Sequence, residues 1–410
     1  MSEPVAPRVA ALVAERLEDH VEAVVALARI GSGSEDPDGV ARVADAVADL
    51  VAPHADLVET RSVGTAPTVD AEGRVVQREL GPALVALRRP DAPVRALVFG
   101  HLDTVFGPDH PFRRVQRAGE VLTGPGVADC KGGIVTAIAA LAALEQLPAG
   151  ADIGWELVCV PDEEIGSPGS KPLLLEAAAR CQVGVGIEPA LPSGAVARAR
   201  KGSTTLHLVV TGRAAHVGRA HADGISAIAA AARLVTAFES LNGQRPGLTV
   251  NVGRVAGGGP LNVVPDRALV GINVRAATPD DEAFFRAHLD AIVALAAPAT
   301  VTLVEGGHRP PKLPDDSLQR LLDHLGAAAA ELGVDVAAED TGGCCDGNDL
   351  AAAGLPNIDS LGVRGGGIHS DAEFACIDSI PERAGLIAGL LTRVAADVTA
   401  GREHPMREVR

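Results

Sequence analysis

The sequence predicts an α/β protein whose main domain is a mostly parallel sheet with helices on both faces, interrupted by a smaller α+β domain. The first half alternates helical patterns with short, near-continuous apolar strands, which is typical of a parallel sheet buried on both faces. The middle of the chain contains strands that alternate apolar and polar residues, as half-exposed strands do. With 410 residues, the chain is also longer than a single hydrophobic core usually supports.

Residues 1–199 are expected to form the first part of the main domain. Apolar residues recur there at helical spacing, and helices are predicted at about residues 7–27, 40–51, 132–147 and 171–181. Short β-branched runs bounded by turn residues predict strands at residues 94–100, 153–160 and 183–187. Because strands and helices alternate, these strands are expected to lie parallel in one sheet.

Residues 200–307 follow a different pattern and are expected to form the inserted domain. Strands are predicted at residues 204–210, 248–256, 267–275 and 300–306, and helices at residues 225–241 and 281–295. This β-α-β-β-α-β order is that of a ferredoxin-like module. Residues 308–410 return to the first pattern, with a helix predicted at 316–332, a strand at 357–362 and a helix at 380–398. The polar tail from Gly401 is expected to be loose.

Composition excludes several classes of function. The net charge of −17 argues against a nucleic-acid partner or an anionic membrane surface. The longest uncharged apolar run, Gly132 to Leu144, is shorter than the roughly 20 residues of a membrane-spanning helix. The N-terminus lacks the basic-then-apolar pattern of a signal peptide, and the six cysteines include no CxxC pair. We therefore expect a cytoplasmic protein with reduced cysteines.

Acidic and imidazole side chains follow the predicted strands at the points where those strands end. In an open parallel sheet, ligands bind beyond the carboxyl ends of the strands, so these side chains are expected to meet at one edge. So many carboxylates would repel one another and lose their ionisation unless a cation compensates them. A divalent metal is the simplest compensation. The set comprises His101, Asp103, Asp129, Glu163, Glu164, Glu188 and His369.

Each of these features also has an ordinary structural explanation when it is considered alone. A His-x-Asp sequence after a strand is often a loop cap, and a Glu-Glu pair is usually solvated surface. Asp129, which precedes a predicted helix, has the position of an N-cap. The arrival of all these segments at the same sheet edge is what favours a metal site.

Five motifs carry a resemblance to a known family: GHLDTV, GPGVADCKGG, PDEEIGS, IEP and GGGIHS. In this order and spacing, the chain resembles the zinc peptidase family that includes glutamate carboxypeptidase (carboxypeptidase G), aminoacylase, acetylornithine deacetylase and succinyl-diaminopimelate desuccinylase. The resemblance covers nearly the whole chain, and it includes the inserted module, which matches the family's lid or dimerisation domain.

The resemblance implies two Zn²⁺ ions per chain, with Co²⁺ or Mn²⁺ as substitutes, and assigns a role to each residue of the cluster. Asp129 would bridge the two ions, with His101 and Glu188 completing one site and Glu164 and His369 the other. Asp103 would accept a hydrogen bond from His101 and so fix its tautomer. Glu163, beside a ligand but not itself one, would be the general base.

The resemblance also implies roles for residues of the inserted domain. His216 would steady the oxyanion in the site of a partner subunit, which implies a homodimer formed through the lid. Asn262 and Arg275 would bind the substrate carbonyl and carboxylate, with Arg309 and Lys201 as further carboxylate candidates. On sequence alone, a surface loop histidine is the favoured explanation of His216, whereas a charge on an edge strand explains Arg275 equally well.

The expected activity is cleavage of an amide bond next to a free carboxylate, releasing a C-terminal amino acid such as glutamate from a small peptide or N-acyl-amino-acid. An N-acyl-amino-acid deacylase, a dipeptidase, a hydrolase with a single metal and a non-catalytic binder on the same fold remain alternatives. Where the family often has Gly-Gly-Ser-Asp or Gly-Gly-Thr-Asp, this chain has Gly342-Gly343-Cys344-Cys345-Asp346. This departure leaves the side-chain preference open, and the roles of the two cysteines with it.

Overall fold

The computed structural model describes residues 4–70 and 72–401. The helices are α1 Val5–Ala14, α2 Leu17–Ala28, α3 Pro37–Val51, α4 Lys131–Leu144, α5 Lys171–Ala178, α6 Val217–Ala220, α7 Ala227–Glu239, α8 Pro279–Ala294, α9 Asp316–Leu332, α10 Asp346–Ala352 and α11 Ser379–Thr399. Most of the tail expected to be loose lies outside the described residues. Within the described residues, no helix combines the length and the apolar character needed to cross a membrane.

The strands form two principal sheets and several short ribbons. They are β1 Leu57–Ser62, β2 Thr65–Val69, β3 Val75–Glu79, β4 Pro82–Arg88, β5 Val94–His101, β6 Gln116–Ala118, β7 Val121–Thr123, β8 Ile153–Val160, β9 Val183–Gly186, β10 Val196–Arg200, β11 Gly202–Thr211, β12 Leu248–Gly257, β13 Arg267–Ala276, β14 Thr300–Arg309, β15 Ala338–Thr341, β16 Asn357–Ile358, β17 Gly365–Gly366 and β18 Phe374–Cys376.

The central sheet has the order β1-β4-β8-β5-β9-β16. Strand β4 is antiparallel to both of its neighbours, and the other five strands run in one direction. Helices α1, α3, α4 and α11 pack on one face, and α5 and α10 cover the other. The predicted mostly parallel sheet with helices on both faces is therefore confirmed, and the carboxyl ends of β5, β8 and β9 meet at one edge.

The second sheet is antiparallel, with the order β12-β13-β11-β14. Helices α7 and α8 pack on one face through a core that contains Leu206, Phe238 and Phe285. Both helices begin at a side-chain cap, Ser226 for α7 and Thr278 for α8. This is the predicted ferredoxin-like arrangement, and its other face looks toward the central sheet. The assignment of residues 200–307 as a separate lid domain stays a proposal.

The structure corrects three details of the predicted elements. The single helix predicted at residues 7–27 is two helices, because the chain breaks between Ala14 and Leu17 while the apolar spacing continues across the break. The strand predicted at 357–362 ends at Ile358, since Ser360 has a positive φ of 66° and turns the chain. The hairpin β2–β3 was not predicted, and its Val69 packs against Val209 and Leu269 of the second sheet.

Candidate metal centre and substrate cleft

His101 is the last residue of β5 and is 1% exposed. Its Nδ1 lies 3.0 Å from the backbone oxygen of Asp103, and its Nε2 lies 3.0 Å from Asp129 Oδ1. Because a carbonyl oxygen can only accept, Nδ1 carries the hydrogen in the neutral ring and Nε2 keeps its lone pair. Nε2 is therefore the nitrogen available to a cation.

Asp103, which is fully buried, connects His101 with the loop that follows β8. Its carboxylate lies 3.3 Å from His101 Nδ1 and accepts hydrogen bonds from the backbone N–H groups of Glu163 and Glu164, both at 3.2 Å. Ser34 Oγ donates a further hydrogen bond of 2.6 Å to the same carboxylate. Asp103 thus orients the histidine and both glutamates at once.

Asp129 lies between the two histidines of the cluster. Its Oδ1 lies 3.0 Å from His101 Nε2, and its Oδ2 lies 3.3 Å from His369 Nε2. Glu188 is on the His101 side, 3.7 Å from Nε2, and Glu164 is on the His369 side, 3.2 Å from Nε2. Each oxygen of Asp129 therefore faces a different imidazole and carboxylate pair, which is the arrangement expected of a bridging carboxylate.

The loop that carries Asp129 is held in place by packing and by a buried acid. A Cβ atom at Gly133 would lie 2.0 Å from the backbone oxygen of Ile187, so only glycine lets the start of α4 approach the end of β9 and Glu188 this closely. Glu373 accepts hydrogen bonds of 2.9 to 3.1 Å from the backbone N–H groups of Gly126, Ala128 and Asp129. No sequence signal pointed to Glu373 or Ser34, because both act through contacts distant in the chain.

The electrostatics of the cluster fit a divalent metal. Burial raises the pKa of Glu164 and Glu188 and raises the pKa of Glu163 to about 8. Hydrogen bonds to Asp129 and Glu164 raise the pKa of His369 to about 11. Without a cation, the buried glutamates therefore tend to be protonated, and a protonated His369 compensates Asp129 and Glu164. A divalent cation can take the place of these protons. In two groups, His101-Glu163-Glu188 and His101-Asp129-Glu164, the donor atoms lie within 4.8 Å of one another. Imidazole nitrogen and carboxylate oxygen donors suit zinc.

Arg309 lies beneath Glu163 and is 5% exposed. Its Nη2 lies 2.9 Å from Glu163 Oε1, 2.8 Å from Ser167 Oγ and 2.8 Å from Asp346 Oδ1. The contact with Glu163 lacks hydrogen-bond alignment, so Oε1 has no hydrogen-bond partner within the described chain. Acidic neighbours already surround the guanidinium. This favours a role in positioning Glu163 over the predicted contact with a substrate carboxylate.

A cleft of about 620 Å³ separates the acidic cluster from the open face of the second sheet. Ser203, Thr205, Asn273 and Arg275 line it from that sheet. Arg275 is half-buried: its Nε donates to Asn273 Oδ1 at 2.9 Å, and its Nη1 lies 3.1 Å from Cys344 Sγ. Arg275 therefore points into the cleft, beside the cysteine segment that departs from the family pattern.

Three other predicted residues do not line this cleft. Lys201 lies at the start of the second sheet, where its backbone N–H donates to Thr341 and its carbonyl accepts from Asn348. His216 is exposed, and its Nδ1 accepts a hydrogen bond of 3.2 Å from the Gly218 N–H. Asn262 is also exposed, and its backbone carbonyl accepts a hydrogen bond from the backbone N–H of Val217. The structure brings His216 and Asn262 close to each other, but not to the metal cluster of their own chain.

A parallel sheet that delivers histidines and carboxylates to one edge, under a cleft closed by a ferredoxin-like module, defines a metal-dependent hydrolase. The chain belongs to peptidase family M20/M25/M40, whose family model matches residues 97–393. The resemblance found in the five sequence motifs is thereby confirmed. Membership of a peptidase family argues against the alternative of a non-catalytic binding protein on the same fold.

The similar proteins include peptidases and a deacylase. The chain is 28% identical to carboxypeptidase G2 of Pseudomonas sp. (strain RS-16) over 383 residues, which cover 90% of this chain and 88% of that one. It is 32% identical to the succinyl-diaminopimelate desuccinylase of Methylobacterium radiotolerans over 275 residues, covering 56% and 68% of the two chains. The M20 family metallo-carboxypeptidase Sso-CP2 of Sulfolobus solfataricus has the same fold, with a TM-score of 0.72 and 15% identity over 91% of this chain and 98% of that chain.

Proposed function

We propose that the protein is a two-zinc exopeptidase that cleaves an amide bond next to a free carboxylate and releases a C-terminal amino acid such as glutamate. Arg275 is the observation that carries this proposal, because its guanidinium enters the cleft opposite the metal cluster without an acidic partner in the described chain. A guanidinium is suited to a terminal carboxylate, since its planar fork can donate two parallel hydrogen bonds.

In the proposed site, Asp129 would bridge two metal ions. His101 and Glu188 would hold one ion, and Glu164 and His369 would hold the other. When bound, zinc polarises the scissile carbonyl and lowers the pKa of a water molecule. Ligand sets of this kind leave coordination positions open, as a catalytic site requires and a structural zinc site does not.

Glu163 acts as the general base in this proposal. Its carboxylate, which has an oxygen without a hydrogen bond in the described chain, takes the proton of the attacking water and later gives it to the leaving amine. Arg309 and the backbone contact to Asp103 fix where that carboxylate lies. Lys201 stays a prediction for substrate binding, although the cleft wall does not include it.

His216 and Asn262 are proposed to complete the site of a partner subunit. Support comes from the apolar side chains around them, since Val217 is 42% exposed and Leu261 fully exposed. Strand β12 is also an edge strand of its sheet, with Val255 60% exposed. Exposed apolar groups beside an open sheet edge favour a protein interface. A homodimer formed through the second sheet would cover them.

An N-acyl-amino-acid deacylase or a dipeptidase is the second candidate, supported by the similarity to a desuccinylase. A screen of acyl-amino acids, folyl-type glutamates, dipeptides and their C-terminal amides, with metal content measured alongside, separates the candidates. Release of a C-terminal amino acid only from substrates with a free carboxylate supports the first. Equal turnover of the amides would contradict it, and one metal per chain would favour the mononuclear alternative.

A further inference from the structure

A second group of basic side chains faces the cleft, away from the metal cluster. It consists of Arg78 from β3, His207 from β11 and Arg254 from β12, which we call the distal basic cluster. His207 and Arg254 both pair with Gly271 of β13, so they lie in one row across the sheet. Arg78 reaches the same place from the hairpin whose Val69 packs on that sheet.

The arginines of the distal basic cluster lack counter-charges. The carboxylates that line the cleft all belong to the metal cluster, namely Asp129, Glu163, Glu164 and Glu188. Among the described residues, no acid forms an ion pair with Arg78 or Arg254. By contrast, two other cleft arginines are paired with buried acids, Arg200 with Asp359 at 2.7 Å and Arg309 with Asp346 at 2.8 Å. Arg254 is exposed and Arg78 half-buried, so both guanidinium groups are accessible to an anion that enters the cleft.

His207 points to the same conclusion. Its Nδ1 is buried and has no hydrogen-bond partner within the described chain. Burial lowers its pKa, and the charges of Arg254 and Arg78 lower it further, so both guanidinium groups act on this ring. A buried polar atom without a partner costs free energy, so this position is not optimised for stability alone.

Glycines keep the space beside this row open. A Cβ atom at Gly271 would lie 3.1 Å from Arg254 Cβ and 3.8 Å from His207 Nδ1, and one at Gly306 would lie 3.2 Å from His207 Nε2. Both neighbouring strands therefore present bare backbone beside the imidazole. The surroundings thus resemble a ligand pocket more than a packed surface.

We propose that the distal basic cluster is a specificity subsite that binds a second anionic group of the substrate, remote from the carboxylate held by Arg275. This inference depends on the proposed function in one respect only, namely that Arg275 binds the first carboxylate of the substrate. The cluster lies four residues along β13 and β11 from the row of Arg275 and Ser203, which is about 14 Å. That length equals roughly four extended residues, so the site fits an acidic peptide or a long acyl chain that ends in an anion.

The test compares N-acyl glutamates whose acyl chains vary in length and end in a carboxylate, a phosphate or a neutral carboxamide. We expect the unchanged enzyme to prefer an anionic end of the right length by roughly ten- to hundredfold in kcat/KM. Arg254→Gln and Arg78→Gln should each remove most of that preference and leave the carboxamide substrates unaffected. Comparing the substrates that end in a carboxylate with those that end in a phosphate shows which anion the subsite prefers.

Arg267→Gln is the matched control, because Arg267 lies exposed on β13 outside the cleft lining. Arg267→Gln removes one positive charge, as the two subsite variants do, and this variant should keep the preference for anionic acyl chains. No preference in the unchanged enzyme, or equal losses for anionic and neutral chains in Arg254→Gln, would overturn the proposal.

Binding separates this proposal from the proposed function. Calorimetry with Glu163→Gln measures affinity for the same probes without turnover. Tighter binding of anionic than neutral chains, lost when Arg254→Gln is added, would support the subsite even if the unchanged enzyme hydrolyses none of them. Equal binding of both kinds of chain would overturn the subsite even if hydrolysis proceeds.

Discussion

Glu163 combines features that general bases need. It is buried beside the metal cluster, one of its oxygens has no hydrogen-bond partner within the described chain, and its backbone is fixed by Asp103. Adjacent Glu164 points instead toward His369. The loop therefore directs two neighbouring acids toward different partners, Arg309 for Glu163 and His369 for Glu164.

Glu163→Gln is predicted to retain both metals and the fold but to lose roughly 10²- to 10⁴-fold in kcat, because the amide cannot accept the proton of the attacking water. Steady-state kinetics and metal analysis on the same sample measure this. Near-normal turnover would contradict the general-base role.

Arg275→Gln is predicted to raise KM roughly ten- to hundredfold for substrates with a free carboxylate, because a charge-assisted pair is lost. The corresponding C-terminal amides should be affected far less. Kinetics on matched acid and amide substrates measure the difference, with Arg267→Gln as the control. Equal effects on both substrates would refute a carboxylate contact.

The cluster around Asp129 was predictable from sequence because each member lies next to a recognisable strand end or motif. The structure brings together all seven of its predicted members, including His101, Asp103 and His369. Arg309 was predicted as a candidate for the substrate carboxylate from the resemblance, and its contact with Asp346 could not be predicted because that contact depends on packing between distant segments. Glu373, His207 and Arg78 gave no signal for the same reason: their partners are set by tertiary contacts that a linear pattern does not contain.

At the scale of elements, the two chain segments that connect the sheets run side by side. The backbones of Arg200 and Lys312 exchange hydrogen bonds of 2.9 and 3.0 Å. Their side chains converge on the buried Asp359, each at 2.7 Å. This ion triad anchors both connections to the central sheet. Helix boundaries such as Asp316–Leu332 could be predicted from local apolar spacing, whereas this crossing could not.

Asp359→Asn is predicted to lower the free energy of unfolding by about 3–5 kcal/mol, because it leaves two buried cations uncompensated. Urea unfolding of the metal-free protein measures the change. Asp340→Asn is the matched control: it breaks the exposed pair between Arg198 of β10 and Asp340 of the adjacent β15, for which a much smaller loss is expected. Similar losses in both variants would refute the special role of the triad.

The same triad predicts a dependence of stability on pH. Burial by itself would raise the pKa of Asp359, but the charges of Arg200 and Lys312 hold that pKa well below its ordinary value. A depressed folded-state pKa means that Asp359 contributes fully above the unfolded value near about 3.9 and loses its contribution as the pH falls below it. The stability difference between the unchanged protein and Asp359→Asn should therefore be constant from pH 7 to about pH 5 and shrink in stronger acid. A difference that grows in acid would contradict this.

At the scale of the whole molecule, the position of His216 outside the cleft of its own chain makes the oligomeric state part of the proposed mechanism. We predict a species of about twice the 41.7 kDa chain mass in light scattering. Mixing inactive His216→Ala with inactive Glu163→Gln should restore activity. In the mixed dimer, one site combines an intact Glu163 with an intact His216 from the other chain. A fully active monomer, or no recovery on subunit exchange, would remove His216 from the site.

The location and number of the metal ions test the central claim most directly. Crystals grown with ample zinc and measured at the zinc absorption edge should show two anomalous peaks per chain, one on each side of Asp129. The ion at one peak should be bound by His101 and Glu188, and the ion at the other by Glu164 and His369. An anomalous map without peaks in this cleft, with those side chains apart, would contradict the account.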